Sequence, residues 1–171
     1  GFKDKVNIDE WVYRAGIPAN CPKINSEKFK TIESKVALFM NGSSANELNL
    51  QNASTNEWLH FLDILPSKLT TAQMIDLDSA YQFTESGNAE ILCKWLRKSI
   101  ASNYAKANEP LEYFLIHTGR RKFVKPLYTE LAKTPAGLEK AKQIYAKAKP
   151  NYHALVINTL EQILEKQAVK M

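Results

Sequence analysis

A chain of 171 residues, 44% apolar and 24% charged, has the size and composition of one globular domain, which excludes a two-domain enzyme and a disordered or fibrous chain. Its 23 Lys and Arg against 18 Asp and Glu leave a net charge of +5, an excess that favours anionic partners without requiring nucleic acid. No segment approaches the roughly 18 uninterrupted apolar residues of a membrane-spanning helix, and Cys21 and Cys93 belong to no CxxC pair, so they read as reduced, structural thiols. The charged start Gly1-Phe2-Lys3-Asp4-Lys5 reads as the beginning of a fragment, with any export signal upstream and a cytoplasmic setting expected by default.

Glycine and proline are scarce, and they separate segments whose apolar residues recur at three- and four-residue spacing, the mark of amphipathic helices. A short turn of helix spans Ile8 to Tyr13, and Gly16-Ile17-Pro18 breaks it. A second helix begins near Ser26, carries Phe29, Ile32, Val36 and Phe39 on one face, and stops at Asn41-Gly42. Ser54 with Glu57, then Thr70 with Gln73, have capping-box spacing. The first box opens a helix with Trp58, Phe61, Leu62 and Leu65 that Pro66 ends; the second opens one with Met74, Leu77 and Tyr81. After Ser86-Gly87, a helix from Asn88 to Ala101 directs Ile91, Trp95 and Leu96 inward and leaves Lys94, Arg97 and Lys98 in water.

Asn108 and Pro110 open the next helix, with Leu111, Phe114 and Leu115, which ends at Thr118-Gly119. The basic turn Arg120-Arg121-Lys122 leads to a helix expected from about Pro126 to Ala132. Thr134, followed by Pro135, starts a helix with Leu138, Ala141, Tyr145 and Ala148 inside, and Pro150 closes it. The last helix, from about Tyr152, places Val156, Leu160, Ile163 and Leu164 on one stripe before a Lys-containing tail. Eight or nine such helices with short connections define an all-α fold, a two-layered α-α superhelix or irregular armadillo/HEAT-like solenoid, because each stripe needs a neighbour to cover it. No strict period of about 34 or 40 residues is visible.

Catalytic signatures are missing: His60, His117 and His153 lie in no HExxH arrangement, and there is no GxSxG elbow, phosphate loop or dinucleotide fingerprint. The histidines read as packing or capping groups, and Trp11, Trp58 and Trp95 as packing groups.

Three segments together resemble the C-terminal helical domain of the leukotriene A4 hydrolase branch of the zinc aminopeptidases, which carry their HExxH motif in a separate domain. Asp9-Glu10-Trp11-Val12-Tyr13-Arg14-Ala15-Gly16-Ile17-Pro18 is similar to the segment where such chains leave the catalytic region. Glu57-Trp58-Leu59-His60-Phe61-Leu62 resembles a family helix that ends in Leu-Pro, here Leu65-Pro66. Gly119-Arg120-Arg121-Lys122-Phe123-Val124-Lys125-Pro126-Leu127-Tyr128 resembles the family's Gly-Arg-x-Lys-Phe-x-x-Pro-Leu run, and Tyr152-His153 falls where the family has an aromatic or apolar residue before His.

The resemblance implies that residues 1–25 are a linker and entry segment, and that residues 26–171 are the helical domain of a zinc metallopeptidase removing N-terminal residues from short peptides. Zinc would reside in the catalytic domain, and this chain alone would be inactive. The partners implied are that catalytic domain, part of the same polypeptide, and the peptide substrate. Arg120 and Lys122 match the family positions that hold the substrate's free carboxylate, with Arg121 a third cation that widens the anion site or points to solvent. A guanidinium fork and a mobile ammonium one residue apart suit that task. Trp11, Tyr13 and Ile17 are expected to contact the catalytic domain.

From the residues alone, Arg120-Arg121-Lys122 also reads as a solvated basic turn capping a helix C-terminus, where the dipole favours cations. Two other functions stay open at this point: a stand-alone solenoid that binds a protein or peptide on its concave face, and nucleic-acid binding through the basic cluster, for which no RNA-binding motif is present.

Overall fold

The structure of the protein, a computed structural model, describes residues 7–21 and 26–168. The boundary expected at 25/26 therefore falls against residues outside the described set, as do Gly1 to Lys5 and the final Lys170. Among the described residues are nine α-helices and no strand. They are α1 (Ile8–Tyr13), α2 (Glu27–Met40), α3 (Thr55–Ile64), α4 (Thr71–Tyr81), α5 (Ala89–Ala101), α6 (Asn108–His117), α7 (Arg121–Leu131), α8 (Pro135–Ala148) and α9 (Ala154–Ala168). None of them is long and apolar enough to cross a membrane.

Local chemistry sets most boundaries. Ser54 Oγ accepts from the Glu57 N–H while Glu57 Oε2 accepts from the Ser54 N–H at 2.9 Å, and Thr70 with Gln73 repeats the exchange, so two orphan amides are satisfied at each helix start. Asn88 caps α5, and Thr134 caps α8 ahead of Pro135. A short 3-10 turn over Ala45–Leu48 escaped the sequence reading. A side chain distant in sequence holds it, because Asp76 Oδ2 accepts from the Ala45 N–H at 2.8 Å.

The helices form two rows. In one, α3, α5, α7 and α9 pack in succession; in the other, α6 packs on α8, and α2 and α4 both pack on the 3-10 turn Ala45–Leu48. The first row runs parallel, as cross-links between corresponding ends show. Asn88 Nδ2 donates to Thr55 Oγ1 at 3.2 Å where α3 and α5 begin, and Arg97 pairs with Glu130 where α5 and α7 approach their ends. The starts of α3, α5 and α7 thus share one end of the domain. Between the rows lies a continuous core that includes Phe61, Met74, Leu77, Trp95, Leu96, Leu115, Leu127 and Tyr128, all fully buried. Each such large side chain contributes about 1.5–3 kcal/mol. Trp58, Tyr81, Phe83 and Trp95 form a chain of edge-on and tilted rings 4.6–5.1 Å apart, the geometry that aromatic quadrupoles prefer.

Two expectations are corrected. Lys98 is not in water but buried, its ammonium donating at 2.8 Å to the carbonyls of Leu65 and Pro66 at the end of α3. Helix α7 begins at Arg121, five residues before Pro126. Proline is tolerated inside because it deprives a single carbonyl, that of Lys122 in the first turn, of its donor.

Candidate functional site

The early start of α7 changes the reading of the basic run. Helix α6 ends at His117 with Thr118 as its C-cap, Arg120 is the N-cap of α7, and Arg121 and Lys122 are its first two helical residues. These cations therefore sit at a helix N-terminus, where the macrodipole is already positive, rather than at a C-terminus where it would favour them. The three cations are exposed, as in a solvated basic turn, but they open α7 rather than cap α6. No side chain caps this terminus and its first turn contains no acid, whereas α3 and α5 each start with a side-chain cap and a glutamate. Free amides, the dipole and cationic side chains all point to an anion here.

Phe123 organises the cluster. Its ring is buried against Phe114, Arg120 Cζ lies 5.5 Å from the ring centroid, and Lys122 Nζ lies 5.6 Å from it. Both distances are within cation–π range, so the two predicted site residues are brought around one aromatic platform. Arg121 joins Lys122, Lys125 and Pro126 in lining a shallow recess beside it. Among the described residues, Lys122 pairs with Glu90 on α5, and no carboxylate pairs with Arg120, Arg121 or Lys125. Glu90 was not singled out from the sequence; it lies 32 positions from its partner, beyond any local pattern.

A larger groove than this recess lies elsewhere, lined by Tyr104, Leu111, Glu130, Thr134 and Lys140 toward the far ends of α5 and α7. The cation cluster borders only the shallow recess. Trp11, Tyr13 and Ile17 are 46%, 81% and 84% exposed, and α1 buries none of its residues. Trp11 Nε1 donates to Asn20 Oδ1 at 3.1 Å, which folds the segment back on itself with its apolar surface outward.

Zinc finds no ligand set here, since no group of three or more His, Cys, Asp or Glu among the described residues is placed to hold a metal. The three histidines do other work. His60 stacks on Phe29 at 4.5 Å and lies 3.1 Å from Glu33. His117 stacks on Tyr113 and bonds its carbonyl, and His153 Nδ1 accepts from the Leu155 N–H at the start of α9. Cys93 is buried, its thiol donating to the Phe123 carbonyl at 3.5 Å, and burial above all pushes its pKa up to about 11. It is held as an unreactive thiol.

The family model described as "Leukotriene A4 hydrolase, C-terminal" matches residues 53–164, most of the chain. The chain belongs to that family. It is 27% identical to leucine aminopeptidase 2-2 of Scheffersomyces stipitis, with 89% of this chain and 26% of the relative covered. It is also 24% identical to leucine aminopeptidase 2 of Ajellomyces capsulatus, covering 86% of this chain and 24% of the relative. Among solved structures, native yeast LTA4 hydrolase superposes with a TM-score of 0.75 at 21% identity, over 95% of this chain and 30% of that one. The bestatin complex of yeast LTA4 hydrolase gives 0.71 at 22% identity, over 94% and 29%. The all-α fold is that of the family's C-terminal helical domain, and the chain spans about a quarter of the length of these relatives.

Proposed function

We propose that this domain completes the peptide cleft of a zinc-dependent metalloaminopeptidase whose catalytic domain lies in the same polypeptide, and that Arg120 and Lys122 hold the free carboxylate of the substrate. Zinc would be held by that catalytic domain, where it would supply the hydrolytic chemistry; the domain described here supplies no ligand to it and has no hydrolytic activity of its own. Its contribution is to fix the far end of a short peptide while the amino-terminal bond is cleaved.

One observation carries the reading. The cations occupy the uncapped, acid-free N-terminus of α7, an arrangement unfavourable in itself that a bound carboxylate makes favourable. Arg120 offers a planar fork, Lys122 a mobile ammonium, and Arg121 with Lys125 raises the local potential. Residues 1–25 would lead in from the catalytic domain, with Trp11, Tyr13 and Ile17 packed against it. The names of the relatives, leucine aminopeptidases and LTA4 hydrolase, support the peptidase class. In the complete enzyme, Arg120→Ala should lower kcat/KM on a tripeptide about tenfold or more, the loss of one charge-assisted contact; an unchanged value contradicts the assignment.

A further inference from the structure

The ion pair between α5 and α7 assigns a role to a residue outside the basic run. We infer that Glu90 is the positioning residue of the carboxylate site, holding Lys122 toward the substrate; the inference rests on the reading of Arg120 and Lys122 as the carboxylate clamp.

Lysine is a poor clamp by itself, because four rotatable bonds leave its ammonium spread over many positions, and each must be given up on binding. In this structure Lys122 is not left free. Glu90 Oε1 lies 2.5 Å from Lys122 Nζ, although the lysine side chain is 56% exposed. Glu90 is in turn fixed at its root. Asn88 Oδ1 accepts from the Glu90 N–H at 3.0 Å, and Asn88 Nδ2 ties the same turn to Thr55 of α3. One turn further along α5, the Cys93 thiol reaches the carbonyl of Phe123, the residue that follows Lys122. Helix α5 therefore grips the first turn of α7 at two successive residues.

The pair with Glu90 leaves the ammonium with two further N–H donors, and the ammonium lies 5.6 Å from the centroid of the Phe123 ring, to which Arg120 also comes within 5.5 Å. Glu90 takes one donor, fixes the side chain's reach, and leaves the other two for the arriving carboxylate. As a carboxylate it also repels that arrival, so positioning and repulsion act in opposite directions; positioning governs here because the anion meets Arg120, Arg121 and Lys125, none of which has a carboxylate partner among the described residues.

The test uses the complete polypeptide with its catalytic domain, a tripeptide with a free C-terminal carboxylate, and the same tripeptide as its C-terminal amide. Glu90→Ala should raise KM for the free acid about three- to fivefold, the scale of a part-exposed ion pair, with kcat within about twofold and no change for the amide. Glu90→Gln retains an acceptor oxygen for Lys122 and should recover most of the loss. If both variants lower KM for the acid, Glu90 acts by repulsion and the inference is overturned. Equal losses on acid and amide, or a fall in melting temperature that accounts for them, also overturn it in favour of a structural role. If Glu90→Ala changes nothing while Arg120→Ala raises KM for the acid alone, the inference fails and the carboxylate reading stands. If Arg120→Ala does not distinguish acid from amide, the carboxylate reading fails and takes the role of Glu90 with it.

Discussion

The ammonium of Lys98 on α5 closes the end of α3 by donating to the Leu65 carbonyl at 2.8 Å, with the Pro66 carbonyl at the same distance. Burial, partly opposed by Asp63 and aided by Arg97 and Lys94, lowers its pKa from 10.5 to about 8. Both bonds survive deprotonation, because a neutral amine still has two N–H donors. Between about 8 and 10.5 the unfolded chain binds more protons than the folded one, so this residue's contribution makes stability rise with pH in that window and stay flat below it. Denaturant titrations from about pH 7.5 to 9.5 should show the rise, and Lys98→Met, which cannot titrate, should abolish it. An identical slope in the variant contradicts this account.

Asp78 is the hub of a buried network. Burial alone would raise its pKa, but hydrogen bonds from Thr84, Lys106 and Tyr104 outweigh that and hold it below 3.8; Thr84 Oγ1 in turn accepts from Trp95 Nε1. A lowered folded pKa gives stability that is fully present above the unfolded value and lost as pH falls through the folded one. Asp78→Asn should cost about 1.5–3 kcal/mol at neutral pH and flatten the acid limb of the stability profile, both read from chemical denaturation.

Helix propensity alone says that glycine to alanine in a helix gains about 1 kcal/mol. Gly137, in the first turn of α8, is expected to reverse the sign. A Cβ there would stand 2.1 Å from the Leu131 carbonyl oxygen and 2.8 Å from Thr134 Oγ1, and the carbonyl is backbone that cannot swing aside. Gly137→Ala should destabilise the domain by about 1–3 kcal/mol, visible as a lowered melting temperature.

Much of this fold is legible in local sequence because its helix starts are set within four residues. The spacings of Ser54 with Glu57 and Thr70 with Gln73 are capping boxes in the structure as they are in the sequence. What escaped depends on contacts between distant residues. The burial of Lys98 is decided by carbonyls 33 and 32 positions away, and the Ala45–Leu48 turn by Asp76, 31 positions from Ala45. Pro126 reads in the sequence as a first helical residue, whereas in the structure it stands inside α7, which starts at Arg121. The site shows the same division: Arg120 and Lys122 stand out in the sequence, while Phe123 as their shared platform and Glu90 as a partner emerge only when α5 and α7 lie side by side.

The apolar face at the entry segment should be separable from folding. Since α1 buries no residue, replacing Trp11, Tyr13 and Ile17 together by serine should leave the melting temperature of the isolated domain unchanged and reduce its binding of a hydrophobic dye. On the proposal that the catalytic domain covers this face, the same triple change should destabilise the complete polypeptide. Dye binding that does not respond to the substitutions contradicts the surface's assignment.

The central claim, that Arg120 and Lys122 recognise a carboxylate, is tested most directly by the ratio of kcat/KM for a free-acid tripeptide to that for its amide, measured in the complete enzyme and in Arg120→Ala. The account predicts that the substitution reduces this ratio by about tenfold to a hundredfold, because only the acid loses a charge-assisted contact. A ratio that stays the same, whatever happens to the individual rates, would contradict it.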